Sequence, residues 1–83
     1  MKSFRLEIVG PIGKKFDKTV EKVFLRTEGG DMAIMAGHAP LLAVIKPCEL
    51  RTLFLDGKDE SFMLDDGFLA VFNNKVTIMS NKL

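Results

Sequence analysis

The residues that this 83-residue chain lacks narrow its possible chemistry. It has no tryptophan and no tyrosine, and it carries a single cysteine, Cys48, and a single histidine, His38. One cysteine cannot form an intrachain disulfide, and short domains from oxidising compartments usually carry several, so we expect a reducing compartment. Zinc sites usually take three or four protein ligands, so this pair is too small a set without added carboxylates. The sequence therefore predicts no metal site and no cofactor.

Neither sign of charge is in excess. Twelve Lys and Arg stand against eleven Asp and Glu, and the basic residues are scattered along the chain. Nucleic-acid binding needs a concentrated basic surface, and single-strand binders also need exposed aromatic rings. Most of the seven phenylalanines here fall in strand patterns instead. We expect no nucleic-acid partner.

A long apolar run is also missing. The most apolar window, AIMAGHAPLLAVI, is interrupted by Gly, His and Pro and is shorter than the roughly 20 residues that cross a bilayer. Arg5 and Glu7 interrupt the first residues, which therefore lack the apolar region of a signal peptide. We expect the chain to be neither exported nor inserted into a membrane.

What is present is a series of short strand patterns. Phe4, Leu6 and Ile8 alternate with charged residues, a period of two that is typical of a half-buried strand. Further strands are predicted around Phe16 and over residues 20–27, 31–35, 41–45, 49–55, 61–64, 68–72 and 75–79. No segment has helical periodicity over a useful length. The pattern predicts one all-β domain, either an antiparallel β-sandwich or a flattened barrel.

Two turns are predicted in particular. Asp56-Gly57 favours a β-hairpin with a type I′ turn, because both central residues of that turn need a positive φ. Asn73-Asn74 predicts a second two-residue turn between two clear strands.

Three interpretations of His38 remain open. A nucleophilic site could be assembled only around His38 and Cys48, and no complete set of partners is visible. A simpler interpretation is a loop residue whose ring hydrogen-bonds nearby backbone and holds the turn into Pro40. In the third, the loop is a contact surface, because the following LLAVI is more apolar than a strand with one solvated face needs.

Two acidic clusters are better explained as turns than as sites. Asp65-Asp66 could act as paired carboxylates, but next to Gly67 such residues usually bond their own backbone in a turn. The segment from Glu28 to Asp31 has two glycines, yet no helix pattern follows it and its acidic side chains would repel phosphate.

A set of motifs, in this order and spacing, resembles the N-terminal domain of the epsilon subunit of F-type ATP synthases. They are VEKV, GGDMAI, GHAPLLAVIKP, DGK, GFLAV and KVTIMS, and GHAPLL is the most specific. The likeness covers essentially residues 1–83. It implies a flattened antiparallel β-sandwich of about eight to ten short strands. It also implies a non-catalytic central-stalk subunit that helps to couple ion flow to ATP synthesis.

The resemblance also implies partners and contact residues. The gamma subunit would bind one side, and the loops of the membrane c-ring, or rotor ring, would meet the end of the domain. The acidic residue that matches Asp31, with Met32 beside it, would face arginine-containing ring loops. The positions expected on or near the gamma-facing side are Gly10, His38, Ala39, Pro40, Leu42 and Ala43. The expected location is the cytoplasmic face of the inner (plasma) membrane, as a peripheral part of the complex.

The sequence departs from the family pattern at several points. Ala33, Cys48 and Asp66 stand where many relatives have glycine. Most members continue into a C-terminal helical hairpin, whereas these residues end at Leu83, so we expect no such hairpin and no ATP binding by it. The alternative hypothesis is a β-sandwich adaptor that binds a different partner.

Overall fold

Nine β-strands joined by short turns form the domain. The structure, a computed structural model, describes residues 2–81. The strands are β1 (Phe4–Gly10), β2 (Gly13–Val20), β3 (Lys22–Thr27), β4 (Gly30–Met35), β5 (Leu41–Ile45), β6 (Cys48–Leu53), β7 (Asp59–Leu64), β8 (Gly67–Phe72) and β9 (Lys75–Ser80). Within residues 2–81 there is no helix long and apolar enough to cross a membrane. The predicted all-β class and the predicted number of strands are confirmed.

The nine strands form one hydrogen-bonded sheet, and eight of them follow a single path that curls around one core. Its order is β2-β1-β9-β8-β5-β3-β6-β7, and β4 also pairs with β3. The path narrows between β5 and β3, which share only the pair Thr27 and Ile45. This junction separates the two layers of the predicted sandwich.

One pairing in the sheet is parallel. β1 lies beside β9, with Leu6 opposite Val76 and Ile8 opposite Ile78, while the other pairings are antiparallel. The prediction of an antiparallel fold did not anticipate this pair, because alternation of side chains gives the buried face of a strand and not the direction of its neighbour. The first and last strands are thereby joined at the centre of one layer.

The core is built from the inward side chains of both layers. Its buried apolar members are Phe4, Leu6, Ile8, Phe16, Val20, Val23, Leu25, Ile34, Ile45, Leu50, Leu64, Leu69, Val71, Val76 and Ile78. The ring of Phe16 packs against those of Phe54 and Phe62, with centroids 6.2 and 5.2 Å apart. These contacts bring β2, at one end of the path, against the β6–β7 hairpin at the other.

The prediction of one continuous strand over residues 20–27 is wrong at its start. Val20 ends β2 and Lys22 begins β3, with a bend at Glu21, whose N–H donates to the carbonyl of Leu53 at 2.8 Å. β2 pairs with β1, whereas β3 pairs with β4 and β6. The apolar pattern continues through the bend because both strands face the same core while belonging to different layers.

The two predicted turns have different outcomes. Asn73 and Asn74 have φ values of 52° and 61°, so the β8–β9 connection is the two-residue turn expected. The hairpin at Asp56-Gly57 is present, but the type I′ prediction is wrong because only Gly57 has a positive φ, 89°. Asp56 Oδ1 accepts a hydrogen bond from the N–H of Lys58 at 3.0 Å, which favours a longer loop with glycine at its end.

Candidate partner-binding surfaces

The outer surface formed by β5, β8 and the Met79 end of β9 is apolar where a solvated strand face would be polar, whereas Lys75 and Thr77 take the other outward positions of β9. Its side chains, which we call the apolar face, are Leu42, Val44, Phe68, Ala70, Phe72 and Met79. The strand register makes them neighbours: Leu42 lies opposite Ala70, Val44 opposite Phe68, and Phe68 opposite Met79. They therefore form one continuous patch across three strands.

The exposure of this patch sets it apart from ordinary surface. Leu42 is 83% exposed, Phe72 71% and Phe68 60%. Single exposed apolar residues are common, but contiguous apolar patches on a small domain usually mark a contact with another protein. In LLAVI, the outward side chains are Leu42 and Val44, and the prediction that a partner covers this side stays a prediction. The apolar face thus has the composition expected of a contact surface.

The His38 loop continues the apolar face at one end. Pro40 and Leu42 line a shallow groove together with Ala70 and Phe72. The ring of His38 donates a hydrogen bond from Nδ1 to the carbonyl of Ala39 at 2.7 Å, since a carbonyl can only accept. This confirms the interpretation that the His38 ring bonds nearby backbone.

A side chain from another turn fixes this loop. The Oδ1 atom of Asn74 accepts a hydrogen bond from the N–H of Gly37 at 3.0 Å, and Asn74 Nδ2 donates to the carbonyl of Ser3 at 2.9 Å. The backbone N–H of His38 also donates to the carbonyl of Met35 at 3.3 Å. These hydrogen bonds fix the start of the His38 loop, and its Pro40 end lies beside the apolar face.

Two predicted contact residues lie at the margin of this surface. Ala43 is half-buried and packs against the core, because it alternates with the outward Leu42 and Val44. Gly10 ends β1 directly after Val9, which pairs with Met79 of the apolar face. Ala43 thus supports the surface from beneath, and Gly10 lies at its edge.

Asp31 lies on a different part of the surface and already has a cationic neighbour. It stands directly opposite Arg26 in the β3–β4 register, and Arg26 Nε donates to Asp31 Oδ1 at 2.7 Å. The hydrogen bond from Arg26 lowers the pKa of the Asp31 carboxyl, and Asp31 raises the pKa of Arg26. Met32, the next residue along β4, is half-buried and packs against the core. The structure thus separates the side chains of Asp31 and Met32 onto opposite faces of β4.

The β3–β4 turn connects the two surfaces. The Thr27 hydroxyl accepts a hydrogen bond from the N–H of Gly29 at 3.2 Å and donates to the carbonyl of Gly30 at 3.1 Å. The N–H of Glu28 donates to the carbonyl of Val44 at 2.8 Å, so the turn lies against β5. Glu28 and Gly29 line one groove with residues of the apolar face.

Outside LLAVI, sequence reasoning missed four members of the apolar face. Phe68, Ala70, Phe72 and Met79 were assigned to strands but not to a contact surface. The signal was present in GFLAVF, which after its glycine is apolar at every position instead of alternating with polar residues. Both faces of such a strand are suited to burial, as the same reasoning had concluded for LLAVI.

The residues weighed for catalysis are not brought together into a site. Cys48 Sγ accepts a hydrogen bond from the backbone N–H of Arg26 at 3.4 Å, whereas the His38 ring bonds the carbonyl of Ala39. Asp65 Oδ1 accepts a hydrogen bond from the N–H of Asp66 at 2.8 Å, the turn geometry predicted for that pair. In the described part of the chain, no group of three or more His, Cys, Asp or Glu side chains could hold a metal ion.

A two-layer β-domain with one continuous apolar outer face has the surface expected of a protein-binding module. The profile of the family described as "ATP synthase, Delta/Epsilon chain, beta-sandwich domain" matches residues 3–83. The chain belongs to this family.

Individual relatives agree with the family assignment. The chain is 35% identical over 82 residues to the "ATP synthase epsilon chain, sodium ion specific" of Propionigenium modestum, covering 99% of this chain and 59% of the relative. It is 39% identical over 80 residues to the "ATP synthase epsilon chain" of Bacillus velezensis, covering 96% of this chain and 60% of the relative. The chain thus spans about 60% of the length of these curated relatives.

Solved structures show the same fold. A chain in the cryo-EM structure of the Euglena gracilis mitochondrial ATP synthase, OSCP/F1/c-ring, matches with a TM-score of 0.90 at 22% identity, covering 96% of this chain and 51% of that one. A chain in the central stalk and c-ring structure of the Tetrahymena thermophila mitochondrial ATP synthase matches with a TM-score of 0.77 at 15% identity, covering 94% and 63%. At this identity the likeness concerns the fold alone.

Proposed function

We propose that this chain serves in the central stalk of an F-type ATP synthase as a non-catalytic rotor component. In this role it binds the gamma subunit and contacts the loops of the membrane c-ring, and so helps to couple ion flow to ATP synthesis in other subunits. The observation that carries the proposal is the apolar face, which is continuous with the His38 loop. Membership of the ATP synthase Delta/Epsilon family suggests that the partner is another subunit of that complex.

The composition of the apolar face supports its assignment to the gamma subunit. The core of a persistent interface is depleted of charge and rich in aromatic residues and methionine, which matches Phe68, Phe72 and Met79. A rotor component must turn as one body with its neighbours, so the contact has to persist under load. A sheet whose inner side chains are fully packed provides a rigid support for such a contact.

The c-ring contact is assigned to the turn end of the β3–β4 hairpin. Asp31 is there with a side chain that is 75% exposed, and a cationic ring loop would find it accessible. A single ion pair at such a rim contributes about 0.2 to 1 kcal/mol. The contact would therefore set orientation more than affinity. In this assignment the chain lies at the cytoplasmic face of the membrane without entering it.

The test is a binding measurement with purified gamma subunit from the same source. Leu42→Asp and Phe68→Asp place a charge within the apolar face, and each is expected to weaken binding at least tenfold because a buried unpaired carboxylate is strongly unfavourable. Ala43 is left unchanged, because it packs inward and its replacement would also disturb the core.

Met63→Asp is the matched control. Met63 is 68% exposed on β7, outside the apolar face, so the same change of chemistry should leave gamma binding unchanged. Circular dichroism would establish that all three variants are folded. Failure of the folded wild-type chain to bind gamma would instead support an adaptor with a different partner.

A further inference from the structure

Arg26 and Asp31 form a cross-strand ion pair at the site assigned to the c-ring. They face each other directly in the β3–β4 register, and the hydrogen bond from Arg26 Nε to Asp31 Oδ1 is 2.7 Å long. Both side chains are largely exposed, 59% for Arg26 and 75% for Asp31. The Asp31 carboxylate, which is assigned to a cation of the ring, is thus already paired with Arg26.

This arrangement changes what a ring arginine meets. With Arg26 beside it, Asp31 belongs to a pair with no net charge, so the pair does not attract a cationic loop over distance as a lone carboxylate would. A second guanidinium at Asp31 would also lie close to Arg26, and like charges repel. An incoming cation therefore competes with Arg26 for the carboxylate.

The released Arg26 would not be left without an acidic neighbour. Glu49 of β6 lines the same surface groove as Arg26 and Asp31. A guanidinium on a long flexible side chain can exchange one exposed carboxylate for another at small cost, since each such pair is weak. The groove therefore contains an alternative partner for Arg26.

We propose that Arg26 is an intramolecular competitor for the ring cation, so that docking of the c-ring exchanges one guanidinium for another at Asp31. This inference rests on the proposed function, in which Asp31 meets a cationic ring loop. Its consequence is a contact that selects position and direction but adds little affinity. Such a contact suits a rotor component whose firm attachment lies on another face.

The test is a double-mutant cycle on c-ring binding. The probe is the detergent-solubilised c-ring from the same source, immobilised for biolayer interferometry, with this chain and its variants in solution. Arg26→Gln is expected to tighten binding roughly two- to fivefold, the range that corresponds to one exposed ion pair. Asp31→Asn should change binding less than twofold in the wild-type background but weaken it two- to fivefold in the Arg26→Gln background. Arg26→Lys should bind like the wild type.

Arg51→Gln is the matched control for total charge. Arg51 forms a cross-strand ion pair with Asp59, with a distance of 2.9 Å from Arg51 Nη2 to Asp59 Oδ2, and both side chains are about half exposed. Its replacement removes one positive charge from β6, the strand beside β3, and leaves the Arg26–Asp31 pair intact. Tighter binding by Arg51→Gln as well would attribute the effect to net charge and overturn the inference.

Three further outcomes are decisive. Weaker binding by Arg26→Gln would mean that Arg26 assists docking, which overturns the competitor role. A full effect of Asp31→Asn in the wild-type background would do the same. If the wild-type chain binds gamma but not the c-ring, the assigned ring contact fails, and this inference fails with it. An NMR titration of the free chain adds an independent check, since the pKa of Asp31 should rise on Arg26→Gln.

Discussion

The side-chain oxygen Oδ1 of Asn74 accepts a hydrogen bond from the backbone N–H of Gly37 across 3.0 Å, although the two residues lie 37 positions apart in the sequence. Asn74 has a φ of 61°, which the β8–β9 turn requires, and its Nδ2 reaches the carbonyl of Ser3. One residue therefore shapes a turn, ties down the entry to β1 and holds the loop that leads to the apolar face.

Replacing Asn74 by glycine should loosen this loop. Glycine adopts the same positive φ, so the turn survives while both side-chain hydrogen bonds disappear. At 0.5 to 1.5 kcal/mol each, their loss should lower the free energy of unfolding by about 1 to 2 kcal/mol. Urea denaturation measures this loss, and amide hydrogen exchange at Gly37 should become faster.

Asn73→Gly is the control for this prediction. Asn73 has a φ of 52° in the same turn and is exposed. Its replacement should leave exchange at Gly37 unchanged. Equal acceleration by both variants would mean that the turn conformation, and not the Asn74 side chain, orders the loop.

Gly67 is expected to tolerate no side chain. A Cβ built there would lie 1.8 Å from the carbonyl oxygen of Met79, a backbone atom of the paired strand β9. Gly67→Ala must therefore push β8 and β9 apart, and we expect a loss of about 3 kcal/mol or more in the free energy of unfolding. Thermal and urea denaturation measure it.

Gly29→Ala is the control that tests whether the loss of stability is specific to Gly67. The nearest atom to a Cβ at Gly29 is Thr27 Oγ1 at 3.7 Å, an ordinary contact, and its φ is not positive. This variant should stay within about 0.5 kcal/mol of the wild type. Similar stability of the two alanine variants would contradict the close approach of β8 to β9.

Thr27→Val should destabilise the hairpin that carries Asp31. Valine keeps the shape of threonine but removes the hydroxyl that bonds Gly29 and Gly30. We expect a loss of about 1 to 2 kcal/mol in urea denaturation, with NMR shifts concentrated at residues 26–31. Thr19→Val, at an exposed position of β2, should have little effect on either measurement.

Acid should weaken a cluster of ion pairs on β1 and β2. Hydrogen bonds from Arg5 and Lys14 lower the pKa of Asp17 well below its ordinary value, and a hydrogen bond from Lys14 lowers the pKa of Glu7. A carboxyl whose pKa is lower in the folded state stabilises the fold above its ordinary pKa, and this contribution is lost as the pH falls through the folded value. Stability should therefore decline below about pH 4.5.

Asp17→Asn isolates the contribution of one carboxylate to this decline. The variant should be less stable than the wild type at pH 7, and the difference between their urea midpoints should shrink as the pH falls below 3.8. Because Arg5 and Lys14 are about half exposed, 1 M NaCl should also reduce the difference at pH 7. A difference that stays constant from pH 7 to pH 2 would contradict a role for the charged form.

Much of the fold followed from local patterns, and the failures have identifiable causes. Alternation in β1 and the paired asparagines between β8 and β9 predicted their elements correctly. The bend at Glu21 was missed because the strands on both sides face the same core. The turn type at Asp56 was wrong because its side chain bonds the backbone of Lys58 and favours a longer loop.

The candidate surfaces were predictable only in part. Pro40 and Leu42 were expected to be contact residues, and the structure places both at the apolar face. Ala43 and Met32 were also predicted as contact residues; both are half-buried and pack against the core, and their contact role stays a prediction. Resemblance assigns positions, whereas the direction of each side chain depends on the register of its strand.

The sequence by itself determined the all-β class, most strands and turns, and the family, because these follow from local periodicity, turn chemistry and motif order. The tertiary structure alone decided that β1 lies parallel to β9, that Asn74 holds the loop of Gly37, and that Arg26 forms an ion pair with Asp31. It also brought Phe68, Phe72 and Met79 beside Leu42 in one apolar face. Apart from Arg26 and Asp31, which face each other within one hairpin, these relationships join residues from distant parts of the chain. All of them depend on how the strands pair around the common core.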